Sequence, residues 1–390
     1  MRILHVVGSI APRYGGPSFA ALDMCRALAG RGHEVDLFTT TIDGPGELDV
    51  PVGVPLRREG FAITCFPPGR PRSYSTSPAL GRALRRRVAE FDVVEVHNLY
   101  LFHTAAAALS CRRSGVPYFV CPHGTLDPYQ RAFDRRKKLL YDLLVERRNL
   151  ERAAGIHCTS NAERDAVAAA GVRAPTYVVP LAIRFDDFDT AADPVGLLAA
   201  HPELDGRPLV TFLGRLARKK RLDLLVEAFA AVAPIAPEAR LVIAGPDDEG
   251  IGARVRALIE RRRLGGRVSL LGMVEGETKV ALLQRSAVFA LPSEDENFAV
   301  SLVEAMAAGV PVVTTDGVAI HEEVRSAGAG LVIARTADAL AAALAELLED
   351  RELARRLGEN GRGLARSAFA WEAFGRNLER MYEGVRAPAG

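Results

Sequence analysis

The sequence lacks the features that mark several large classes of protein. It has no apolar run of about eighteen residues, so no membrane-spanning helix is predicted. Residues 1–7 resemble a short strand that runs into a glycine loop, and not a signal peptide. None of the five cysteines forms a C-x-x-C pair, and all five lie in the first half of the chain. We therefore expect buried structural thiols, a reducing compartment and a cytoplasmic protein.

Motifs for three common kinds of ligand are also missing. No G-x-G-x-x-G segment follows a predicted strand, which argues against a dinucleotide cofactor. No aromatic residues alternate with the arginine-rich segments, so nucleic acid is not an expected partner. The acidic run Glu294–Glu296 has no nearby His or Cys that would complete a metal site.

The composition is that of a globular protein with more than one domain. The chain has 390 residues, of which 48% are hydrophobic and 25% are charged, and this is enough for two sizeable cores. The net charge of +2 is unevenly spread. Residues 1–180 carry 24 basic and 17 acidic side chains, a balance of +7, whereas residues 181–390 carry 26 and 31, a balance of −5.

Much of the basic excess lies in two short segments, Arg82–Arg87 and Arg135–Lys138. The second segment opens a predicted helix, Lys137–Arg152, with a leucine stripe. A basic amphipathic helix can dock on an anionic membrane surface, which would place the protein peripherally on the inner face of the membrane. The alternative is a domain helix with its apolar face in the core, and both interpretations stay open. The stripe consists of Leu139, Leu140, Leu143, Leu144 and Leu150.

Strands and helices alternate along the whole chain, which predicts an α/β fold with two doubly wound parallel sheets. We assign an N-terminal domain to 1–182, a second domain to 183–370, and a final helix at 371–390 that returns toward the first domain. Residues Ala182–Gly206 are predicted to form the linker. Ligands of such sheets bind at the carboxyl ends of the strands, so two facing domains would hold a site in the cleft between them.

The predicted elements have definite bounds. The strands are Arg2–Val7, Glu34–Thr39, Val93–His97, Tyr118–Cys121, Gly155–Thr159, Thr176–Val179, Leu209–Phe212, Arg240–Ala244, Val268–Leu271 and Val288–Leu291. The helices are Ser18–Arg31, Pro78–Ala89, Leu222–Val232, Gly252–Arg262, Lys279–Arg285 and Phe298–Ala308, with a last one that begins near Trp371.

Two glutamates, Glu296 and Glu304, stand eight positions apart across the start of a predicted helix. The strand, loop and helix around them present free backbone N–H groups and a positive dipole end, which suit a phosphate. If both glutamates were helical, the rise alone would separate them by roughly 12 Å, more than the roughly 5–9.5 Å of a hydrolytic carboxylate pair. The spacing therefore suits one elongated ligand held at two points. The alternative is an acidic loop that only stabilises the helix dipole.

Other strand-end loops carry further candidate side chains. Arg215 and Lys220 follow the strand Leu209–Phe212, where they can neutralise a diphosphate leaving group, although one basic pair in a loop is usually just solvated. Gly15 and Gly16 lie between the first strand and the first helix, where glycine lets a charged group approach the backbone.

Histidines also stand at strand ends in the first half of the chain. His97 ends the strand Val93–His97, and His123 follows the strand Tyr118–Cys121. His103 is less well placed. A lone histidine is more often structural than catalytic, so position at a carboxyl end of a strand is what singles out the first two.

Four segments occur in the order seen in a known enzyme family: GGPSFAALDMCRALAGRGHEV, PHGTLDPY, GRLARKK and EDENFAVSLVEAMAAGVPVV. On these segments the chain resembles the retaining family 4 glycosyltransferases with the E-x7-E motif, which include bacterial mannosyl- and glucosyltransferases. The resemblance covers nearly the whole chain. It implies the GT-B fold of two Rossmann-like domains, with a nucleotide-sugar donor held mainly by the second and a saccharide or lipid-linked acceptor held by the first.

The resemblance also implies roles for single residues. Glu296 would contact hydroxyls of the transferred sugar, and Glu304 would hold the ribose. Arg215 and Lys220 would bind the diphosphate, and His123 would lie near the reaction centre. The implied catalytic residues are His123, Arg215, Lys220 and Glu296; the donor-binding residues are Gly16, Arg215, Lys220, Met273, Asn297, Phe298, Ala299, Val300 and Glu304; the acceptor-side residues are Gly15, His97 and His123.

The sequence departs from the family pattern at a few positions. Asn297 and Ala299 replace glycines around Phe298, Arg221 replaces the glycine after the lysine, and Leu181-Ala182 replaces an asparagine-glycine. The loops that carry the four segments contain no D-x-D motif, which fits an enzyme that needs no metal ion or other cofactor.

The implied reaction is hexose transfer with retention of configuration in cell-surface polysaccharide or glycolipid synthesis. It needs no enzymic nucleophile, and none is evident. A sugar-nucleotide epimerase or hydrolase on the same fold, and a non-catalytic nucleotide-sugar-binding protein, are the alternatives.

Overall fold

The computed structural model describes residues 1–126, 141–247 and 249–384. The chain divides into two compact units. Unit 1 comprises Met1–Leu181 and the C-terminal segment from Trp371, and unit 2 comprises Ala182–Ala370. The basic run Arg135–Lys138, and with it the start of the predicted helix Lys137–Arg152, lies outside the described residues.

Unit 1 is built on an eight-stranded sheet, beside which stands a two-stranded hairpin. The sheet strands are β1 (Arg2–Ser9), β2 (Glu34–Thr40), β5 (Leu56–Arg58), β6 (Phe61–Phe66), β7 (Val93–His97), β8 (Tyr118–Cys121), β9 (Gly155–Cys158) and β10 (Thr176–Val178), and the hairpin strands are β3 (Ile42–Asp43) and β4 (Gly46–Glu47). Their order in the sheet is β10-β9-β8-β7-β1-β2-β6-β5, with only β5 antiparallel to its neighbour. The chain winds from β1 to one side and then, from β7, to the other, so β1 and β7 flank the switch point of this sheet.

The helices of unit 1 connect these parallel strands. They are α1 (Gly16–Gly30), α2 (Pro78–Arg87), α3 (Phe102–Ser114), α4 (Arg147–Glu151) and α5 (Asn161–Ala169), with a π-helical turn at Asp142–Glu146 before α4. Local sequence fixes several helix starts: the side chain of Ser77 accepts a hydrogen bond from the Leu80 N–H at the start of α2, and that of Ser160 accepts one from the Glu163 N–H at the start of α5.

Unit 2 is built on a six-stranded parallel sheet of the order β13-β12-β11-β14-β15-β16. Its strands are β11 (Leu209–Leu213), β12 (Arg240–Ala244), β13 (Val268–Gly272), β14 (Ser286–Leu291), β15 (Val312–Thr315) and β16 (Gly330–Ile333). This is the strand order of a dinucleotide-binding sheet, and its switch point lies between β11 and β14. Both strands are buried apolar runs, as expected for a parallel sheet covered on both faces.

Nine helices belong to the described part of unit 2. They are α6 (Asp186–Asp189), α7 (Val195–Ala200), α8 (Leu222–Val232), α9 (Ile251–Arg261), α10 (Gly276–Gln284), α11 (Val300–Ala307), α12 (His321–Ser326), α13 (Ala337–Glu349) and α14 (Arg351–Ala368). Apart from Lys137–Arg152, whose start lies outside the described residues, every strand and helix for which the sequence analysis gives both ends is present, with ends that differ by at most three residues.

The prediction that Ala182–Gly206 is a linker between the domains is wrong. It carries α6, α7 and a short 3-10 helix, and it belongs to unit 2. Phe188, Leu197 and Leu204 are at most 3% exposed, so this segment buries apolar side chains in the core of unit 2. Because the segment is rich in Asp, Pro and Ala, its sequence did not indicate that these three apolar side chains are buried.

The final helix, α15 (Trp371–Glu383), belongs to unit 1 although it is last in the sequence. It packs on α1, and Tyr382 is fully buried. Its hydroxyl donates a hydrogen bond to the carboxylate of Glu95 in β7. Nearer the surface, Glu379 pairs with Arg31 and with His33, at 3.1 Å for the latter.

The predicted buried thiols are confirmed: all five cysteines are buried and free. Burial raises the pKa of the Cys65 thiol to about 11 and that of the Cys111 thiol to about 12, so these groups are unreactive. Among the described residues, no helix combines the length and the apolar character needed to cross a bilayer.

Candidate functional site

In unit 2 the loops after β11 and β14 meet at the switch point of the sheet. A 3-10 turn, Arg218–Lys220, follows β11, and the backbone carbonyl of Lys219 accepts a hydrogen bond of 2.7 Å from the Glu294 N–H of the other loop. Parallel strands bring these loops together because both leave the sheet at its carboxyl edge. Residues 75 or more positions apart in the sequence therefore share one site.

The centre of this site is the ion pair between Lys220 and Glu296. The Lys220 Nζ lies 2.8 Å from the Glu296 Oε1, and Lys220 is only 8% exposed. Burial raises the pKa of Glu296, but the nearby Lys220 and Lys219 outweigh it and leave the pKa below its ordinary value. Burial lowers the pKa of Lys220, and the attraction to Glu296 offsets only part of that shift. Lys220 is buried and Glu296 largely so, and each compensates the charge of the other.

A second lysine, which the sequence did not single out, extends this cluster. The Lys219 Nζ lies 3.4 Å from the Asp295 Oδ2 and 3.6 Å from the Glu296 Oε1. Burial lowers the pKa of Lys219, but its two carboxylate neighbours raise it by more, so the net direction is upward. Lys219 is thus a charged partner of the acidic loop. The run Lys219-Lys220 was the available signal for it.

Arg215 stands at the same strand end as Lys220, two residues after β11. Its backbone position depends on a close approach between the ends of β11 and β12. A Cβ atom at Gly245 would lie 1.9 Å from the carbonyl oxygen of Gly214, so only glycine fits there. Arg215 is half-buried and contributes to the positive field that lowers the pKa of Glu296.

The loop from Glu296 to the helix start is fixed by backbone pairing on its far side. The Glu296 N–H donates to the Gly317 carbonyl at 2.8 Å, and the Glu296 carbonyl accepts from the Ala319 N–H at 2.9 Å. The helix α11 begins at Val300, two residues later than predicted, because Ala299 adopts a left-handed conformation with φ +66°. As at any helix start, the first N–H groups of α11 lack partners within the helix, and such groups can bind an anion.

The residues around this helix start have separate surroundings. Phe298 is 3% exposed and packs edge-on against Phe369 with ring centroids 5.4 Å apart, so its side chain belongs to the core and only its backbone can meet a ligand. Asn297 and Val300 are partly exposed. Met273 follows the end of β13 and is 47% exposed.

Glu304 lies on the first turns of α11, and its carboxylate is bound by Lys279 of α10. The Lys279 Nζ lies 2.6 Å from the Glu304 Oε1. The sequence analysis missed Lys279, because only the packing of α10 beside α11 reveals that the two side chains meet. Unlike Glu296, Glu304 does not lie in the strand-end loop. The two glutamates occupy distinct positions, one before the helix and one within it.

In unit 1 the predicted glycines occupy the turn between β1 and α1. Gly15 has φ +69° and ψ −137°, a conformation open only to glycine. Gly16 is the first residue of α1, and a Cβ atom there would meet nothing within 4 Å. The turn thus requires Gly15 for its backbone, whereas Gly16 leaves open space beside the helix start.

His97 and His123 are neighbours in the structure, and a third ring that the sequence analysis missed, His5, joins them. The Nδ1 of His5 lies 3.0 Å from the Nε2 of His97, and the Nδ1 of His97 lies 3.0 Å from the Nε2 of His123. Both ring pairs are stacked, with centroids 5.3 Å apart and planes 19° apart. We call these three residues the histidine file. His103 stands outside it and donates from its Nε2 to the His97 backbone carbonyl at 2.7 Å.

Beside the file lies a buried charge pair. The Nδ1 of His157 lies 2.6 Å from the Glu95 Oε1, and neither residue is exposed. Burial lowers the pKa of His157, but the Glu95 charge raises it by more, and the pKa of Glu95 falls well below its usual range in return. Both ring nitrogens of His157 face oxygen acceptors, the Glu95 carboxylate and the Val179 carbonyl at 2.9 Å, and this geometry is that of an imidazolium held against a carboxylate. Tyr382 completes the set from α15.

Two sets of side chains among the described residues have ligand atoms within 4.8 Å of one another and could hold a metal ion. Both lie in unit 1. One D-x-D sequence, Asp187-Phe188-Asp189, is present in α6, where Asp189 pairs with Arg362 and Arg366. The two metal-capable sets are His97, Cys121 and His123, and Glu95, Cys121 and His157.

Comparison with known families assigns both halves of the chain. The family described as "Glycosyl transferases group 1" matches residues 198–364, and the family described as "Glycosyl transferase 4-like domain" matches residues 15–182. The first match contains Arg215, Lys220, Glu296 and Glu304, and the second contains both strand-end histidines. The two matches together span nearly the whole chain.

Individual proteins agree with these families. The chain is 25% identical to a D-inositol 3-phosphate glycosyltransferase of Jonesia denitrificans, over 96% of this chain and 92% of the relative. It is 26% identical to a GDP-mannose-dependent alpha-(1-6)-phosphatidylinositol monomannoside mannosyltransferase of Mycobacterium tuberculosis, over 98% of each chain. Its fold matches the solved sucrose-phosphate synthase of Thermosynechococcus elongatus with a TM-score of 0.81 over all of both chains, at 21% identity.

Proposed function

The chain is a glycosyltransferase of the family 4 type with the GT-B fold, and on that basis we propose that it transfers a hexose from a nucleotide-diphosphate sugar with retention of configuration. The observation that carries this proposal is the buried Lys220–Glu296 pair at the switch point of unit 2. It joins an ammonium group, which could bind a diphosphate, to a carboxylate, which could accept hydrogen bonds from sugar hydroxyls, and so supports binding of a nucleotide-diphosphate sugar. Both full-length relatives named above are glycosyltransferases, and the mannosyltransferase is named for its GDP-mannose donor.

The donor is proposed to lie along the carboxyl edge of the sheet of unit 2. Lys220, Arg215 and the N–H groups at the start of α11 would bind the diphosphate, where they stabilise the charge that develops as the glycosidic bond breaks. Glu296 would accept hydrogen bonds from the transferred sugar, and Glu304 from the ribose. Met273 would lie beside the base. Because Lys220 is already held by Glu296, the site is charged and ordered before the donor binds.

The acceptor hydroxyl is proposed to attack on the face that the diphosphate leaves. Its proton passes to the departing phosphate, so the enzyme supplies position and charge and needs no nucleophile of its own. No metal ion is part of this proposal, since Lys220, Lys219 and Arg215 already supply positive charge at the switch point. Full activity in excess EDTA is the expected result, and loss of activity that Mg²⁺ or Mn²⁺ restores would contradict it.

We propose a saccharide or lipid-linked acceptor in cell-surface polysaccharide or glycolipid synthesis, reached at an anionic membrane surface by unit 1. The described part of its basic excess includes a surface pocket whose arginines are mostly exposed. Among the described residues, Arg113, Arg148 and Arg152 form no ion pair, so their charges are available to phosphate groups. The pocket is lined by Leu109, Arg112, Arg113, Arg148 and Arg152.

The first experiment identifies the donor. A panel of UDP-, GDP- and ADP-sugars is screened by thermal shift, since a donor that binds the folded state raises the melting temperature. The stabilising donor is then incubated with candidate saccharide and lipid acceptors, and release of nucleoside diphosphate is measured with and without acceptor. Release that depends on the acceptor is expected. Equal release without acceptor would mark a hydrolase or epimerase and overturn the proposal.

A second experiment tests the membrane surface. The protein should sediment with vesicles that contain phosphatidylglycerol and not with vesicles of phosphatidylcholine alone. Replacement of the three exposed arginines Arg113, Arg148 and Arg152 by Gln should reduce sedimentation, whereas replacement of three exposed arginines of unit 2 should not. Equal binding by both triple variants would contradict a role for this pocket.

A further inference from the structure

The histidine file occupies the switch point of the sheet of unit 1. His5 lies on β1, His97 ends β7, and His123 follows β8, so the file crosses three adjacent strands and ends at the carboxyl edge. His5 and His97 are fully buried, and His123 is partly exposed. Two buried imidazoles thus stand directly behind the one ring of the three that can reach a ligand.

The number of ring protons in the file limits which tautomer His123 can adopt. Three neutral imidazoles carry three ring N–H protons. Each of the two N···N contacts of 3.0 Å holds one of them. The third proton must lie at one end of the file, on the Nε2 of His5 or on the Nδ1 of His123.

The two ends of the file are not equivalent. The Nε2 of His5 is buried and has no hydrogen-bond partner among the described residues. A buried N–H without an acceptor costs more than a bare ring nitrogen, and such groups are rare. At the other end, the Nδ1 of His123 has the sulfur of Cys121 at 3.8 Å and belongs to a partly exposed ring. The third proton therefore lies on the His123 Nδ1.

The three rings are neutral, because burial disfavours the charged form of an imidazole. Burial lowers the pKa of His5 to about 4 and that of His123 to about 3, and it lowers the pKa of His97 well below the ordinary value. The charged Glu95–His157 pair lies next to the file without joining its hydrogen bonds. With the third proton at the exposed end, every ring of the file carries its proton on Nδ1, and the His123 Nε2 only accepts.

Resting on the transferase function proposed above, we infer that His97 and His5 are positioning residues that fix His123 as its Nδ1–H tautomer and hold its ring for a hydroxyl of a sugar substrate. His123 itself needs such support, because its backbone has φ +53°, a strained conformation for a residue other than glycine. A fixed neutral N–H is a donor for a sugar hydroxyl. A ring free to rotate or to change tautomer would offer that donor only part of the time.

The tautomer can be read directly in the ligand-free protein. The chain has eight histidines, so 15N-histidine labelling gives a spectrum in which the two ring nitrogens of His123 can be assigned with a His123→Asn variant. The wild type should show protonated Nδ1 and bare Nε2 at His123. His97→Phe keeps a ring in place but removes the hydrogen bonds, and it should give a mixture of tautomers. A wild-type ring with its proton on Nε2 would overturn the inference.

Kinetics then separate positioning from structure. His97→Phe should lower kcat by about 100-fold while the donor KM changes less than threefold. His97→Asn should recover most of that loss, because an amide nitrogen in the place of Nδ1 still donates to His123. The matched control is His103→Phe, another fully buried histidine of unit 1 that stands outside the file. It should lower the melting temperature as much as His97→Phe and keep kcat within twofold.

Other outcomes would overturn the inference. Equal loss of kcat in the His97 and His103 variants would show that His97 acts only through stability. Stoichiometric zinc in the purified protein, released by His97→Phe, would show a metal site at His97, Cys121 and His123 in place of the hydrogen-bonded file. Failure of the transferase proposal would appear separately, as absence of transfer in the wild type, and the tautomer measurement would still decide the role of the file.

Discussion

At the scale of single residues, substitutions of Lys220 and of Glu304 are expected to change different kinetic constants. Lys220→Ala removes the cation that we propose to lie beside the leaving group and leaves Glu296 without its 2.8 Å partner, so kcat should fall by about 10²–10³-fold. Glu304→Ala lies away from the bond that breaks and should mainly raise the donor KM, by about 10-fold or more. Steady-state kinetics with the identified donor measure both effects.

Two neighbours serve as controls for this pair. Lys219→Ala removes a lysine that is farther from Glu296, at 3.6 Å, and should lower kcat much less than Lys220→Ala. Lys279→Met removes the 2.6 Å partner of Glu304 and should raise the donor KM in the same direction as Glu304→Ala. Near-wild-type transfer by both the Lys220 and Glu304 variants would remove the basis for the assigned roles.

Ala299 is a strained residue at the donor site. It adopts φ +66°, where a Cβ atom costs roughly 1–2 kcal/mol, and glycine pays no such cost. Ala299→Gly should therefore stabilise unit 2 by about 0.5–1 kcal/mol, after the greater freedom of glycine in the unfolded chain is counted. Urea unfolding measures the change. Ala305→Gly within α11 is the opposite case and should destabilise, and equal effects at both positions would contradict the strain at Ala299.

The residue scale is also where sequence reasoning stopped short. Glu296, Lys220 and Glu304 were identified from motifs, and their proposed roles still await the kinetics above. Lys219, Lys279 and His5 were missed, because each matters through a partner that is distant in the sequence. His5 and His97 are 92 positions apart, and only the pairing of β1 with β7 brings their rings into contact.

At the scale of elements, the C-terminal helix α15 depends on one buried hydrogen bond. Tyr382 is fully buried, and its hydroxyl donates to a Glu95 carboxylate that also holds the His157 imidazolium. Tyr382→Phe should destabilise unit 1 by about 2–3 kcal/mol, because a hydrogen bond to a charged, buried group is lost. The control Tyr177→Phe removes a hydroxyl outside this network and should change the free energy of unfolding by less than about 0.5 kcal/mol. Equal changes in the free energy of unfolding for the two variants would show that the hydrogen bond of Tyr382 to Glu95 adds no measurable stability.

Helices and strands were the features best predicted from the sequence, because the period of apolar residues is strong in buried parallel strands and in the helices that cover them. The parallel arrangement of the strands followed from the alternation of strand and helix, whereas the order of the strands within each sheet was not predicted. The linker prediction failed because this period is absent from residues 182–206. The segment is mostly polar, and its buried apolar residues, such as Phe188 and Leu204, are too widely spaced to show a helical period.

At the scale of the whole molecule, the buried neutral histidines make unit 1 sensitive to acid. Burial lowers the pKa of His5 and of His103 to about 4, that of His123 to about 3, and that of His97 well below 6.5. Between about pH 6.5 and pH 4 these histidines are therefore protonated in the unfolded chain and neutral in the folded chain. The free energy of unfolding should fall as the pH falls through this window, by about 5 kcal/mol per pH unit for four such groups. Burial raises the pKa of the Glu146 carboxyl to about 7, which offsets this fall by about 1 kcal/mol per pH unit and leaves a net slope of about 4 kcal/mol.

The neighbouring charge pair does not cancel this slope. The raised pKa of His157 contributes stability that is complete below pH 6.5, and the depressed pKa of Glu95 contributes stability that is lost only below about pH 4.5. Unit 2 provides an internal comparison, since its two histidines, His201 and His321, are partly exposed. Unfolding curves from pH 7.5 to 4.5 should show the transition of unit 1 moving much more than that of unit 2. His103→Gln should reduce the slope by about a third, and parallel movement of the two transitions would contradict the prediction.

The discontinuity of unit 1 has a consequence for how the protein is made. A ribosome finishes residues 1–181 early and unit 2 next, but it releases α15 last. Until then, Glu95 and His157 lack the Tyr382 hydroxyl, and Arg31 lacks Glu379. The domain that begins first is therefore completed last, and a nascent chain stalled before residue 371 carries a finished unit 2 beside an unfinished unit 1. Unit 1 therefore acquires its full stability only after all of unit 2 has been made.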